Sequence, residues 1–223
     1  MPSEGGSRRE GEDLKAPGSS LVERIRRLAD RVAEKPAAFH WLRKLPEANY
    51  TATKLRIRAV HDSLGAPRVL DAGCGTGEFS RLFDPARYLG VDLHPGYIAF
   101  AKRHNRRHRY LCTDLMVWPD TGEQFDLVLV NGVLHHLDDD TARKLLNRAA
   151  SRLASPGTLL VIEDVALPRP SSGARLVHGL DHGHFIRDAE RWRALVSEQL
   201  PITRTETYRS GVCPYHLMLC AAP

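Results

Sequence analysis

Five short apolar runs, spaced by stretches of helix length, constrain this chain more than anything else in it. From Arg68 onward "RVLDAG", "RYLGVDL", "RYLCTDL", "FDLVLVNGVL" and "GTLLVIEDV" alternate with segments of helical period. Strands apolar on both faces, with helices between them, call for a mostly parallel sheet covered on both sides. Helices are expected near residues 77–83, 95–105, 139–154 and 187–200. The end of the chain, "ITRTETYR" then "CPYHLMLC" across a Ser-Gly turn, reads as an antiparallel hairpin.

The residues before this pattern differ in kind. Residues 1–20 are rich in Gly, Ser, Pro and charge and have almost nothing to bury, so a disordered tail is expected. Residues 21–65 read as three helical stretches: Leu21 to about Lys35 behind a Ser19 or Ser20 cap, then 39–45, then 49–64 ending at Gly65. The expected division is a tail (1–20), a helical extension (21–65) and the sheet domain (66–223). The net charge of +5 suits an ordinary soluble surface. The four cysteines form no CxxC pair and no zinc spacing, which points to reduced thiols in a cytoplasmic protein. No apolar run approaches the ~20 residues of a membrane span, and no leader segment is read in the polar start.

The first run ends in "VLDAGCGTGEFS", where an acid is followed by Gly73, Gly75 and Gly77. Glycines at a strand-to-helix turn let a ligand lie against the main chain. A dinucleotide fingerprint would put its third glycine where Glu78 stands, an anion where a pyrophosphate should lie. A P-loop fails as well, because no GK[ST] follows.

With Asp71 in front, the pattern D-x-G-x-G-x-G resembles the first motif of the class I S-adenosylmethionine-dependent methyltransferases. The resemblance runs in order over about residues 50–165. "YLGVDLHP" is similar to the second motif, which implies that Asp92, with Leu93 beside it, takes the ribose hydroxyls. "CTDL" is similar to the third, which implies that Asp114 accepts from the adenine amino group while Leu115 offers its amide. "FDLVLVNGVLHHLDD" is similar to the fourth strand, and its end, from Asn131 to His136, would lie beside the methionine arm. Asp71 and the main chain at Gly73 would hold the amino-acid end. The same resemblance implies a Rossmann-like α/β fold, a seven-stranded sheet in the order 3-2-1-4-5-7-6. It also makes 21–65 a helical lid, with Tyr50 closing over the donor.

The implied cofactor is S-adenosyl-L-methionine, and the implied activity is methylation of a small-molecule acceptor, most simply at oxygen, within a biosynthetic pathway. A histidine beside the methyl suits general-base work, and His136 is preferred over His135. The aspartates at 138–140 read as a helix cap, and no metal is expected. The segment after the fifth strand, "PRPSSGARLVHGLDHGHFIRD", has the place of a substrate loop. Its D-x-G-x-F-I-R run, with "PYH" at 214–216, is similar to small stand-alone bacterial methyltransferases. His184, Arg187 and Tyr215 are therefore candidate acceptor contacts, Arg187 as an anchor for an anion. The basic "AKRHNRRHRY" reads as an exposed helix end, so nucleic acid is not an expected partner. Rival readings are an RNA or protein methyltransferase, a cyclase using the same sulfonium, and a non-catalytic binding module. Oligomeric state is left open.

Overall fold

A computed structural model describes residues 44, 46–168 and 185–222. The expected tail, the first helix of the extension and His184 lie outside the described residues. The chain enters with α1 (Thr51–Ser63), followed by β1 (Val69–Ala72), β2 (Tyr88–Asp92), α2 (Pro95–His104) and β3 (Arg109–Cys112). Then come β4 (Phe125–Asn131), α3 (Asp139–Ala150), β5 (Leu153–Asp164), α4 (Ala189–Ser197) and the hairpin β6 (Ile202–Ser210) and β7 (Cys213–Ala222). The seven strands form one sheet in the order β3-β2-β1-β4-β5-β7-β6. β1 to β5 pair in parallel, and β7 runs antiparallel between β5 and β6.

The period of two along each strand sorts its residues onto two cores. Leu70, Val128, Val130, Leu159 and Val161 pack with Leu146 of α3 and Trp192 of α4 on one face. Val69, Leu127, Leu129, Leu160 and Ile162 pack with Ile57 of α1 and Ile98 of α2 on the other. Burial on both faces is why these strands carry unbroken apolar runs. The aspartates after β4 act as expected, with Asp138 Oδ1 accepting from Thr141 N at 2.8 Å to cap α3. The basic run falls partly in the last turn of α2, with Lys102, Arg103 and His104 near its negative end.

Three boundaries differ from expectation. No α-helix follows the glycine turn. Residues 80–82 make one 3₁₀ turn, and Ser80 spends its hydroxyl on the carbonyl of Gly77 at 2.8 Å. α3 stops at Ala150 because β5 begins at Leu153, earlier than "GTLLVIEDV" suggests. α4 begins at Ala189, where Asp188 caps it by accepting from Arg191 N at 2.8 Å. What matters for function is the edge where β1, β2, β3 and β4 all end. The order reverses there between β1 and β4, which is where open α/β sheets form a crevice.

Candidate active site

The crevice is built around the turn after β1. Gly73 N and Cys74 N both donate to Val91 O, at 2.8 and 3.0 Å, tying the turn to β2. Gly73 has φ +84°, and a Cβ there would lie 2.3 Å from Val133 Cγ2, so the turn and the loop after β4 close on each other. Gly75 has φ +52° and nothing within 4 Å of where its Cβ would stand, so its backbone faces open space. That is the bare main chain the sequence pattern implied.

Two cavities meet at this turn, sharing Gly73, Gly75, Gly132 and His136. The larger, about 430 Å³, runs along the ends of β2 and β3 and is lined by Asp92, Leu93, His94, Tyr97, Asp114 and Leu115, among others. The smaller, about 120 Å³, lies over β1 and β4 and includes Tyr50, Asp71, Asn131, His136 and Tyr215. The sequence-derived set from Asp71 to Asn131 is thus brought together along one bent crevice, except that Gly77 lies to one side, facing Tyr110 and Ala101. Neither cavity has a lysine or arginine among its described lining residues.

Four carboxylates line the crevice, and they are held in different ways; Glu78 is paired with Lys44 and Lys54. Asp92 Oδ2 accepts from Gly75 N and Oδ1 from His94 N, both at 2.8 Å, so two amides fix its plane. Asp114 Oδ1 accepts from Met116 N at 2.9 Å. Asp71 is buried and accepts from Tyr88 Oη at 2.8 Å. Burial pushes its carboxyl up to about 7; the Tyr88 hydrogen bond pulls against this and the charge of Asp92 adds to it. A carboxyl poised in this way loses its proton readily once a cation settles beside it.

The two histidines after β4 part company. His136 is exposed and lines both cavities. His135 is 1% exposed and turns down into the protein, its Nδ1 2.8 Å from Glu163 Oε2. The two rings lie 4.1 Å apart between centroids. As a group touching substrate, His135 is corrected: it supports the loop from beneath.

Arg187 is corrected too. It is 5% exposed, and its guanidinium donates to Asp139 Oδ1, Leu134 O, Phe185 O and Leu137 O at 2.8, 3.2, 2.9 and 2.8 Å. Those bonds, with a further contact from Nη2 to Asp139 Oδ1 at 2.7 Å, commit the guanidinium to groups of the protein itself. Tyr215 does line the smaller cavity, with its hydroxyl donating to Glu47 Oε1 at 2.5 Å.

Sequence reasoning missed Glu47, Tyr88 and Glu163. Glu47 is buried, and its carbonyl accepts from Ser210 Oγ at 2.8 Å, so the entry to α1 is latched onto the final hairpin. The one available signal was an acid inside an apolar run, "VIEDV", at Glu163.

A family model described as a methyltransferase domain matches residues 69–157. The ubiquinone biosynthesis O-methyltransferase of Bradyrhizobium diazoefficiens is 39% identical over 106 residues, covering 44% of this chain and 40% of that protein. The malonyl-[acyl-carrier protein] O-methyltransferase of Serratia marcescens is 28% identical over 113 residues, covering 50% and 43%. The alignments thus span less than half the length of these two curated relatives. Among solved structures, the N-methyltransferase NodS from Bradyrhizobium japonicum, in complex with S-adenosyl-L-homocysteine, superposes with a TM-score of 0.68. It is 22% identical and covers 87% of this chain and 98% of that one. The mitomycin 7-O-methyltransferase MmcR superposes at 0.66 with 22% identity, covering 93% and 62%. These likenesses establish the fold.

Proposed function

We propose that this chain, whose residues 69–157 match a methyltransferase-domain family model, is a class I S-adenosylmethionine-dependent methyltransferase that methylates a small molecule, at oxygen. The observation that carries the reading is the crevice itself. Four carboxylates (Asp71, Glu78, Asp92 and Asp114), a bare glycine backbone and, among the described residues, no lysine or arginine in the lining suit a ligand that is positively charged and has no phosphate. A dinucleotide would bring a pyrophosphate to the same place, against Asp92 and Asp71.

The residues fit S-adenosylmethionine piece by piece. Asp92, fixed by two amides, keeps lone pairs on both oxygens for a vicinal diol. Leu93 and Leu115 offer apolar surface to a base in the larger cavity, and Asp114 stands beside them as an acceptor. The smaller cavity takes the amino-acid end, with Asp71 opposite an ammonium. When bound, the cofactor supplies a methyl on sulfonium, whose leaving group is already good. The protein's task is therefore mostly to align the acceptor in line with the methyl and to exclude water. His136 stands where the two cavities join, which supports it as the group that takes the acceptor's proton as the new bond forms.

Calorimetry with S-adenosylhomocysteine on wild type and Asp92→Ala tests the cofactor reading. Removing a charge-assisted pair should cost about 1.5–3 kcal/mol, roughly ten- to a hundred-fold in affinity. Equal affinity in the two proteins would take Asp92 out of the site. Conversion of small hydroxylated acceptors, followed as S-adenosylhomocysteine release, tests the chemistry. Turnover without that product would favour a cyclase-like use of the fold.

A further inference from the structure

The loop that carries His136 is gripped through its backbone by two buried side chains of opposite charge. One is Glu163, on the penultimate residue of β5 and fully buried. Its Oε1 accepts from Val133 N at 2.9 Å and Leu134 N at 2.7 Å. Its Oε2 accepts from His135 N at 3.3 Å and stands 2.8 Å from His135 Nδ1. Three consecutive amides and an imidazole thus converge on one carboxylate. The other is Arg187, which holds two carbonyls of the same loop, Leu134 O and Leu137 O, and reaches Asp139 at the start of α3. The segment bearing Arg187 is itself fixed. Ala166 N donates to Arg187 O at 2.9 Å, Phe185 N donates to His135 O at 3.0 Å, and the guanidinium lies 4.6 Å from the Trp192 ring centre.

Residues 134–136 make a single 3₁₀ turn, in which His136 N donates to Val133 O at 3.2 Å and Leu137 N to Leu134 O at 3.0 Å, so the amides of residues 133–135 must be satisfied from outside it. Here the amides are taken from one side by an anion and the carbonyls from the other by a planar cation, whose fork can hold several acceptors at once. His136 is the residue this arrangement leaves pointing into the crevice.

We infer that Glu163 and Arg187 are positioning residues: by clamping the backbone of residues 133–137 from opposite sides, they fix the His136 imidazole at the junction of the two cavities. This deepens the methyltransferase reading and rests on it for the role of His136. It also accounts for Arg187 without an acceptor contact.

The test reads His136 directly. In protein labelled at the histidine ring, the Cε1–H resonance of His136 is assigned by its disappearance in His136→Asn. It is then followed through a pH titration in wild type, Glu163→Gln and Arg187→Lys. Glutamine keeps the shape but replaces one acceptor oxygen with a donor group, so at least one of the bonds from the backbone amides of the loop is lost. Lysine keeps the charge but cannot hold the separated carbonyls that the guanidinium fork spans. The expected result is loss of the single sharp wild-type resonance in Glu163→Gln, with a displaced titration midpoint, and a smaller change of the same kind in Arg187→Lys. S-adenosylhomocysteine should still bind both variants, since the acids facing it stand on β1, β2 and the turn after β3.

A His136 resonance unchanged in position, width and midpoint, beside a lowered melting temperature, would overturn the proposal and leave the pair merely structural. If Glu163→Gln does not fold, Arg187→Lys decides by the same readout. A wild type that binds no S-adenosylhomocysteine would defeat the functional reading, while the His136 comparison still decides the clamp.

Discussion

Asp92 and Glu163 stand at comparable places, at the tip of β2 and one residue short of the tip of β5, and they do opposite work. Asp92 is held by two amides and faces a cavity of about 430 Å³. Glu163 is surrounded by three amides and an imidazole and faces no solvent. The chemistry of the two carboxylates is the same. What separates them is how much of their hydrogen-bonding capacity the protein itself has used. A strand-end acid serves a ligand when the fold orients it and leaves lone pairs open; it serves the fold when every lone pair is taken.

The largest effect that sharpens this contrast is expected at Glu163. Removing the carboxylate in Glu163→Ala strands three amides and the imidazole in a buried place, and the nearby Arg187 loses the loop it packs against. Urea unfolding should show a loss of about 3–5 kcal/mol. The matching Asp92→Ala should change stability far less and affinity far more. A similar stability loss in both variants would break the comparison.

Asp71 combines the two roles and gives a pH signature. In the unfolded chain its carboxyl ionises near 3.8, whereas in the folded protein it holds its proton up to about 7. The folded state therefore binds the extra proton between those values, and this group makes stability fall as pH rises through that window, then level off. Asp71→Asn should abolish that slope and stabilise the protein above pH 7, by up to a few kcal/mol. The same substitution should weaken S-adenosylhomocysteine binding. Melting curves from pH 5 to 8 for both proteins check the sign. A variant less stable than wild type at pH 8 would mean that Asp71 is ionised and satisfied before any ligand arrives.

The smallest effect belongs to the glycine turn. Gly75→Ala places a Cβ in open space but at φ +52°, so stability should fall by only about 1 kcal/mol. The added methyl group enters the crevice, and S-adenosylhomocysteine affinity should drop. Gly73→Ala, whose Cβ would meet Val133 Cγ2 at 2.3 Å, should instead cost stability. Calorimetry and thermal melts on the pair separate the ligand-facing glycine from the packing one.

The frame of the fold and the ligand-facing acids were legible in the sequence because both follow from period and position. Apolar runs mark strands buried on both faces, and an acid just beyond such a run lands at the sheet's carboxyl edge. The helix expected after the glycine turn was not formed, because one 3₁₀ turn at Ser80 serves the same connection. Arg187 was misread because its partners, Leu134 and Leu137, are some fifty residues away in sequence. The latch from Glu47 to Tyr215 bridges a still longer separation, 168 residues. Such contacts depend on where the fold brings distant loops together, and no local pattern announces them.

An acid-lined crevice, with no lysine or arginine among its described lining residues, selects a phosphate-free, cationic methyl donor. Parallel calorimetric titrations of the wild type with S-adenosylmethionine and with NAD test it most directly. The account predicts one-to-one binding of the sulfonium and no heat from the dinucleotide. Binding of NAD in place of S-adenosylmethionine would contradict it.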